Sequence, residues 1–360
     1  MSVRIHDLIK LAIDSKASDI HFAAGEVPAV RVDGEIRRMS AAPLTADDAK
    51  RIAYSMMQEK HRTHFEVALE CDFAISFRDV ARFRVNVYTQ TRGIGVVMRQ
   101  IPTRVRTMEE LGLPPVFQRI SGFKRGLVLV TGPTGSGKST TLAAMVDYIN
   151  RTRSEHILTI EDPVEFVHAP QRCIINQREF GSDTLSFAAA LRSALREDPD
   201  VILVGELRDL ETISLAISAA ETGHLVFATL HTNSAPETVD RVIDAFPHEQ
   251  QNQVRSMLAQ SLMAVVSQIL VRKAFEPGRV AVQEIMLVTA GIRNLIRENK
   301  LFQIPSLMQA GKAEGQQTME GAARDLANRR KITREEAIRI TNNPMLFEEM
   351  GAPRSAAPAR

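Results

Sequence analysis

The chain contains few cysteines, no tryptophan and no long apolar run. Its 360 residues include only Cys71 and Cys173, too few thiols for a disulfide framework or a four-cysteine zinc site. We expect both to be small buried side chains. Even the longest apolar runs are short ones such as Val201–Val204, far below the roughly 18 residues that span a bilayer, and the first ten residues lack a signal-peptide core. We therefore expect a cytoplasmic protein whose membrane contact is only peripheral.

The charges nearly cancel. Lys and Arg number 45, Asp and Glu number 43, and the formal net charge is +2, so no bulk field draws the chain to nucleic acid or anionic lipid. Aromatic residues make up only 5% of the chain, which leaves little surface for stacking bases. The composition thus predicts no nucleic-acid partner. The length allows a sizeable core and two domains.

A phosphate-binding loop follows an apolar strand. Residues 132–139 match the pattern G-x-x-x-x-G-K-[ST] between the strand at 127–131 and a helix beginning at Lys138. Glycines let the backbone N–H groups turn towards phosphate oxygens, and the helix start adds partial positive charge. Lys138 would reach the β- and γ-phosphates of ATP, and the Ser139 hydroxyl would hold Mg²⁺. The predicted nucleotide-binding residues are Gly132, Pro133, Thr134, Gly135, Ser136, Gly137, Lys138, Ser139 and Thr140.

Strands and helices alternate after this loop. We predict strands at 127–131, 157–160, 201–204 and 225–230, and helices at 138–150, 184–196 and 210–221. Nearly continuous apolar strands between amphipathic helices indicate an α/β fold with a parallel sheet covered on both faces. Ligands bind such sheets at the carboxyl ends of the strands, so the residues after 160, 204 and 230 should lie beside the phosphates.

Polar clusters occupy those three places. Glu161, Asp162 and Glu165 follow the second strand, Glu206 follows the third, and His224 and His231 bracket the fourth. Hydrolysis needs one carboxylate to orient or deprotonate water and another to hold Mg²⁺. We predict Ser139, Asp162 and Glu206 as metal ligands. The general base is either Glu165 or Glu206, because Gly205-Glu206 stands where a magnesium-binding aspartate is expected and the cluster at 161–165 offers an alternative.

The first 100 residues read as a small α+β domain with one arginine-bearing sheet face. Six arginines lie shortly before the nucleotide domain: Arg82, Arg84, Arg92, Arg99, Arg104 and Arg106. A solvated strand face is the ordinary interpretation. The alternative is that one or more of them contacts phosphate as an arginine finger.

The spacing of apolar residues and the positions of turn-forming residues predict the remaining segments. Helices are expected at Val3–Ser15, Thr45–Glu59, Gln250–Leu270, Gly291–Glu298, Met319–Arg330 and Thr333–Ile340, and strands at Phe73–Phe77, Val80–Tyr88, Ile94–Ile101 and Val280–Val288, with a hairpin turn at Asp33-Gly34. Thr107 should cap a short helix.

Four segments together resemble the type II/type IV secretion ATPase superfamily. Residues 132–140 resemble its Walker A box and 160–166 its aspartate box, while 195–209 (LREDPDVILVGELRD) and 222–231 (TGHLVFATLH) resemble its Walker B and histidine boxes. Residues 17–21, 80–86 and 292–298 (IRNLIRE) resemble the type IV pilus retraction, or twitching motility, branch. Gly291 replaces that branch's alanine, and the paired CxxC motifs of extension and type II secretion ATPases are absent from the sequence.

The resemblance implies a homohexameric motor ATPase that powers pilus retraction at the inner-membrane base of the pilus machine. It implies a PAS-like domain at 1–100, a linker at 101–122, a RecA-like ATPase domain with C-terminal helices at 123–345 and a disordered tail at 346–360. Lys138, Ser139, Glu165, Glu206, His224 and His231 match its functional residues, and Arg84 and Arg99 are our choices for its phosphate-contacting arginines. Implied partners are an inner-membrane platform protein and a paralogue of the same type. The alternatives are an accessory subunit whose ATP binding supports docking, and a nucleic-acid motor.

Overall fold

The computed structural model describes residues 5–15, 17–32, 34–77, 81–101 and 104–350. The chain divides into two compact units, one ending at Arg104 and the other beginning at Val105. Each unit has its own β-sheet. In the described part of the chain, no helix is both long and apolar enough to cross a membrane. Cys71 and Cys173 are free and buried, as predicted.

The first unit is a six-stranded antiparallel sheet with three helices. In chain order its elements are α1 (Ile5–Asp14), β1 (Asp19–Ala23), β2 (Ala29–Val32), β3 (Glu35–Arg38), α2 (Ala46–Met56), α3 (Glu59–Ala68), β4 (Glu70–Phe77), β5 (Ala81–Gln90) and β6 (Gly93–Ile101). The strands lie in the order β3-β2-β1-β6-β5-β4. Along β5, Phe83, Val85 and Val87 are buried while Arg84 is exposed, as expected for a strand of a sheet with one arginine-bearing face.

The second unit contains the remaining elements. They are α4 (Met108–Leu111), α5 (Val116–Ser121), β7 (Gly126–Thr131), α6 (Lys138–Thr152), β8 (His156–Glu161), β9 (Ile174–Glu179), α7 (Phe187–Ala194), β10 (Val201–Val204), α8 (Leu210–Glu221), β11 (Leu225–Leu230), α9 (Ala235–Asp244), α10 (His248–Ser261), β12 (Leu262–Arg272), β13 (Arg279–Leu287), α11 (Ala290–Arg297), α12 (Ile304–Ala310), α13 (Met319–Asn328) and α14 (Arg334–Thr341). Short 3₁₀ helices cover Leu301–Gln303, Gly311–Glu314 and Pro344–Met350.

The sheet of the second unit has the order β13-β12-β7-β11-β10-β8-β9. All neighbouring strands are parallel except β12 and β13. Strands β7, β10 and β11 are buried along their whole length. Successive residues of β7 belong to two different core clusters, Leu127 and Leu129 to one and Val128 and Val130 to the other, so both faces of the sheet are covered. The α/β fold class is confirmed.

Because these strands run parallel and in register, their carboxyl ends all lie along one side of the sheet, the carboxyl edge. Leu230 pairs with Thr131, and Val204 pairs with both Ala228 and Ile160. The segments that follow β7, β8, β10 and β11 therefore leave the sheet side by side. This edge contains the phosphate-binding loop.

The prediction of one helix over Gln250–Leu270 is wrong. Helix α10 ends at Ser261, and the chain continues as β12, which pairs with β7 and β13. An apolar run at this position satisfies either structure locally, and the β-branched residues Val265, Val266, Ile269 and Val271 were the signal for a strand. Helix α3 and strand β9 were also missed.

Much of the predicted linker is folded. Helix α4 begins with a capping box at Thr107, as expected, and Met108, Phe117 and Ile120 belong to a core cluster of the second unit. Residues 102–103, Asp33 of the predicted hairpin, Val80 of the predicted strand and the tail 351–360 lie outside the described residues. The sequence predicts a disordered tail from 346, but Pro344–Met350 form a 3₁₀ helix and Leu346 is buried, so the first residues of that tail are folded.

Candidate nucleotide-binding and hydrolysis site

The loop between β7 and α6 has the backbone geometry of an anion cradle. Gly132, Gly135 and Gly137 have φ angles of +136°, +79° and +88°, a region that favours glycine because other residues meet steric clashes there. Gly137 precedes the first residue of the 15-residue helix α6. The first backbone N–H groups of a helix have no intrahelical partner, so they are available to an anion bound in the loop.

Two side chains inside the loop fit a bound phosphate. The Ser136 hydroxyl is buried without a hydrogen-bond partner and lies 2.8 Å from where a side-chain carbon on Gly132 would stand. The Lys138 ammonium donates to the carbonyl oxygens of Gly132 (2.8 Å) and Pro133 (3.2 Å). Burial lowers the pKa of Lys138, and the Glu206 and Glu165 carboxylates oppose that change. The loop thus offers an unsatisfied hydroxyl and a cation, a set suited to a phosphate.

Glu161, at the end of β8, is only partly exposed. Its carboxylate accepts hydrogen bonds from the Thr159 hydroxyl (2.7 Å) and the Gln177 amide (3.3 Å). Burial raises the pKa of Glu161 despite these hydrogen bonds. Asp162 and Glu165 are exposed by contrast. The three predicted carboxylates of this cluster therefore lie in two different environments.

An arginine joins the carboxylates that follow β8 and β10. The Arg208 guanidinium donates to Glu206 (2.9 Å) and to Asp162 (3.1 Å). His231, directly after β11, places its Nε2 3.4 Å from the other oxygen of Glu206. The structure brings together three predicted residues, Asp162, Glu206 and His231. Arg208 was missed, although its position two residues after Glu206 in the predicted acidic cluster was a usable signal.

A small cavity lies behind the loop. It has a volume of about 40 Å³ and is lined in part by Ser139, Glu161, His168, Gly205 and Thr229. A single water needs roughly 10–15 Å³ of this measure, so the cavity has room for more than one. The predicted metal residue Ser139 therefore shares its cavity with Glu161, whereas Asp162 and Glu206 contact Arg208.

The described residues contain no cluster of three or more His, Cys, Asp and Glu side chains suited to holding a metal by themselves. Mg²⁺ usually keeps several waters and takes only one or two protein ligands beside substrate phosphates. The Ser139 hydroxyl, the Glu161 carboxyl and the space between them fit that mode of binding.

His224 and His231 lie at opposite ends of strand β11. His231 follows the carboxyl end of β11, while His224 precedes its amino end and its Nδ1 lies 2.9 Å from the carbonyl oxygen of Ala219. A six-residue strand separates them by roughly 20 Å. Within this chain His224 is therefore not brought to the phosphate-binding loop, and the role predicted for it stays a prediction.

Arg84 and Arg99 belong to the first unit, where they are direct cross-strand partners. Arg99 donates from Nε to Asp19 at 2.8 Å, and Arg84 lies 3.9 Å from Asp72. Burial would raise the pKa of Asp19, but hydrogen bonds from Arg99 and Ser18 lower it overall. Both side chains are exposed, but Arg99 already has a buried carboxylate partner at hydrogen-bond distance, whereas Arg84 is only weakly paired.

Gln268 is a further residue that sequence reasoning missed. It lies on β12, is 1% exposed, and its side-chain amide donates to the carbonyl oxygen of Ser136 in the loop at 2.6 Å. Because β12 was predicted as part of a helix, nothing placed this side chain beside the phosphate-binding loop.

We predict that Gly132→Ala abolishes useful nucleotide binding while Gly135→Ala is tolerated. An added carbon on Gly132 would lie 2.1 Å from the backbone oxygen of Gln268, whereas on Gly135 it meets nothing within 4 Å. The first variant combines overpacking, about 1–3 kcal/mol, with left-handed strain, about 1–2 kcal/mol, for an affinity loss of at least about 30-fold; the second has only the strain, a loss of about 30-fold at most. Titration with fluorescent ADP measures both, and equal affinities would contradict the loop geometry.

We predict that His168 makes the protein less stable in acid. Burial lowers its pKa from the usual 6.5 to about 4. The unfolded chain therefore binds this proton at a higher pH than the folded chain, so the stabilisation is complete above about pH 6.5 and is lost as pH falls towards 4. The difference is worth about 3 kcal/mol. Urea unfolding at pH 7 and pH 4 should show a smaller loss in His168→Gln, with the exposed His64→Gln as control; identical losses would contradict the prediction.

Comparison with known proteins gives a consistent result. The family model described as "Type II/IV secretion system protein" matches residues 2–339. The chain is 56% identical over 343 residues to the "Type IV pilus retractation ATPase PilT" of Pseudomonas aeruginosa, covering 95% of this chain and 99% of that protein. It is 41% identical over 331 residues to the "Type IV pilus ATPase PilU" of the same organism, covering 92% and 87%.

A solved structure supports the same assignment. The crystal structure of the pilus retraction motor PilT with bound ADP has a TM-score of 0.91 and 49% sequence identity, covering 97% of this chain and 100% of that one. The range of the family model, residues 2–339, includes both units and the phosphate-binding loop. The chain therefore belongs to the type II/IV secretion system protein family.

Proposed function

We propose that this chain is a hexameric motor ATPase that hydrolyses ATP to power type IV pilus retraction. The ATPase activity is supported by one observation. Four side chains lie at the sheet edge that contains the phosphate-binding loop: Lys138, Glu206, Arg208 and His231. Similarity over 95% of the chain to a protein named as a retraction ATPase supports the direction of the motor.

Each side chain has a proposed role in hydrolysis. Lys138 leaves its loop carbonyl contacts to hold the β- and γ-phosphates, since an anion is a stronger partner for an ammonium than a carbonyl oxygen is. Ser139 and Glu161 would hold Mg²⁺, directly or through water, with Asp162 nearby. When bound, the ion neutralises charge that develops on the phosphates.

We propose Glu206 as the general base in preference to Glu165. Its two oxygens face His231 and Arg208, so its position is fixed from two sides, and a base must be held within hydrogen-bond reach of the attacking water. Glu165 is exposed and stays the alternative.

The assembly is a proposal that rests on the family. We propose a homohexamer at the inner-membrane base of the pilus machine, docked on a platform protein, with a PilT-like paralogue as a further partner. In the ring, Arg84 is the better candidate for a phosphate contact, because Arg99 is already paired with Asp19. The alternative is an accessory paralogue; identity of 56% to PilT against 41% to PilU favours the main motor.

We predict that Glu206→Gln lowers the turnover number for ATP by about 10²–10⁴-fold, the usual contribution of a general base, and leaves nucleotide affinity within about threefold. The glutamine keeps the size and the hydrogen-bonding oxygen but cannot take a proton. Steady-state hydrolysis and ADP titration measure the two effects. Glu221→Gln, an exposed residue at the end of α8, is the matched control. Normal turnover in Glu206→Gln together with lost turnover in Glu165→Gln would transfer the role to Glu165.

We predict that deletion of the gene gives cells with excess pili that do not retract. A retraction motor removes pilin from the fibre, so its loss leaves assembly unopposed. Electron microscopy counts the pili and a twitching assay measures motility. Complementation with the wild-type gene should restore both, whereas Lys138→Ala should restore neither. Loss of pili on deletion would indicate an extension motor, and unchanged motility would favour an accessory paralogue.

A further inference from the structure

We propose that Gln268 is a positioning residue that holds the phosphate-binding loop in the shape that accepts a nucleotide. The proposal rests on the proposed ATPase function and concerns the same site. Gln268 lies 132 positions after Ser136 in sequence but in the neighbouring strand of the sheet, because β12 pairs with β7 in parallel.

Both the nitrogen and the oxygen of the Gln268 side-chain amide form hydrogen bonds. Its nitrogen donates to the backbone oxygen of Ser136 at 2.6 Å, and its oxygen accepts from the Thr141 hydroxyl at 2.9 Å and from the Gln283 amide at 2.9 Å. One side chain thus joins the loop, the first turns of α6 and strand β13. Gln268 and Gln283 are 1% and 4% exposed, so water does not compete for these hydrogen bonds.

The hydrogen-bond partners fix which way the amide points. The backbone oxygen of Ser136 can only accept, so it needs the NH₂ group. Gln283 presents its own NH₂ to the oxygen of Gln268, which would be repelled if the amide were reversed. Gln283 is held in turn on β13, where its backbone oxygen accepts from the Gln317 amide at 2.7 Å.

Both ends of the loop, Gly132 and Gly137, pack against Gln268. A side-chain carbon on Gly132 would lie 2.1 Å from the backbone oxygen of Gln268, and one on Gly137 would lie 3.0 Å from its amide nitrogen. Three left-handed glycines leave the loop backbone with unusual freedom. A fixed hydrogen bond to Ser136, between those glycines, removes part of that freedom before a nucleotide binds, and pre-organisation of this kind raises affinity.

A purely structural role, in which Gln268 only joins β12 to β13 and α6, is the competing explanation. Gln268→Glu separates the two, because its carboxyl group keeps the oxygen that Thr141 and Gln283 contact but, when ionised, cannot donate to Ser136. Burial raises the pKa of a carboxyl group, by up to 3–5 units for full burial. At low pH the introduced carboxyl is protonated and can donate again.

The experiment measures the affinity of fluorescent ADP for the full-length protein at pH 8.5 and pH 6, each variant as a ratio to wild type at the same pH. We expect Gln268→Glu to bind about tenfold more weakly at pH 8.5 and within about threefold of wild type at pH 6. Gln268→Met, which cannot donate at any pH, should be about tenfold weaker at both. Gln316→Glu is the matched control: Gln316 is 2% exposed and accepts from the Leu287 backbone through an oxygen that the substitution retains.

The outcomes separate this inference from the proposed function. Absence of ADP binding by the wild-type protein would overturn the function itself. If wild type binds and Gln268→Met binds equally well, Gln268 has no positioning role. A pH-independent ratio for Gln268→Glu, or the same pH-dependent ratio in Gln316→Glu, would also overturn the inference. Should Gln268→Glu fail to fold, Thr141→Val replaces it, because it removes a partner of the Gln268 oxygen and leaves the donor to Ser136. Affinity near wild type in Thr141→Val with weak binding by Gln268→Met is expected, and equally weak binding by both would overturn the inference.

Discussion

The parallel alignment of β7, β8, β10 and β11 is the constraint on which the site depends. Parallel strands in one sheet end at the same edge, so a phosphate-binding loop after one strand and carboxylates after two others must meet there. Val204 pairs with Ile160, and Leu230 with Thr131, which sets Glu161, Gly205 and His231 beside the loop. The buried strands in turn require helices on both faces, so the fold and the site have one common cause.

Charge balance at this edge is a second consequence. Carboxylates brought together repel one another unless they are paired or protonated. Arg208 lies between Asp162 and Glu206, and burial raises the pKa of Glu161. Lys138 lies close enough to Glu206 and Glu165 for their charges to act on its pKa. The edge thus holds several acidic groups near a site for anionic phosphates, because the cations Arg208 and Lys138 lie among them.

The shape of the loop depends on the strand behind it. Glycine permits the loop conformation but does not enforce it. Enforcement comes from the contacts of Gln268 with Ser136 and Thr141, and from the hydroxyl pair Thr131 and Ser267, 2.8 Å apart and buried between β7 and β12. Buried polar groups of this kind are costly unless satisfied, so a connected set of them favours a single arrangement.

The sequence by itself determined the local features: the strand–loop–helix around Lys138, the alternation of strands and helices, the buried face of β5 and the acidic segments after β8 and β10. These depend on periodicity, on residues that tolerate left-handed backbone, and on neighbours in the chain. Only the tertiary structure decided that Leu262–Arg272 is a strand, because its partners lie in β7 and β13. It also decided that Arg208 joins two carboxylates, that His224 lies at the far edge of the sheet, and that Gln268 contacts the loop. The strand partners of β12, the pairing of Arg208 with Asp162 and the contact of Gln268 with the loop each join residues far apart in sequence, whose proximity no local pattern encodes.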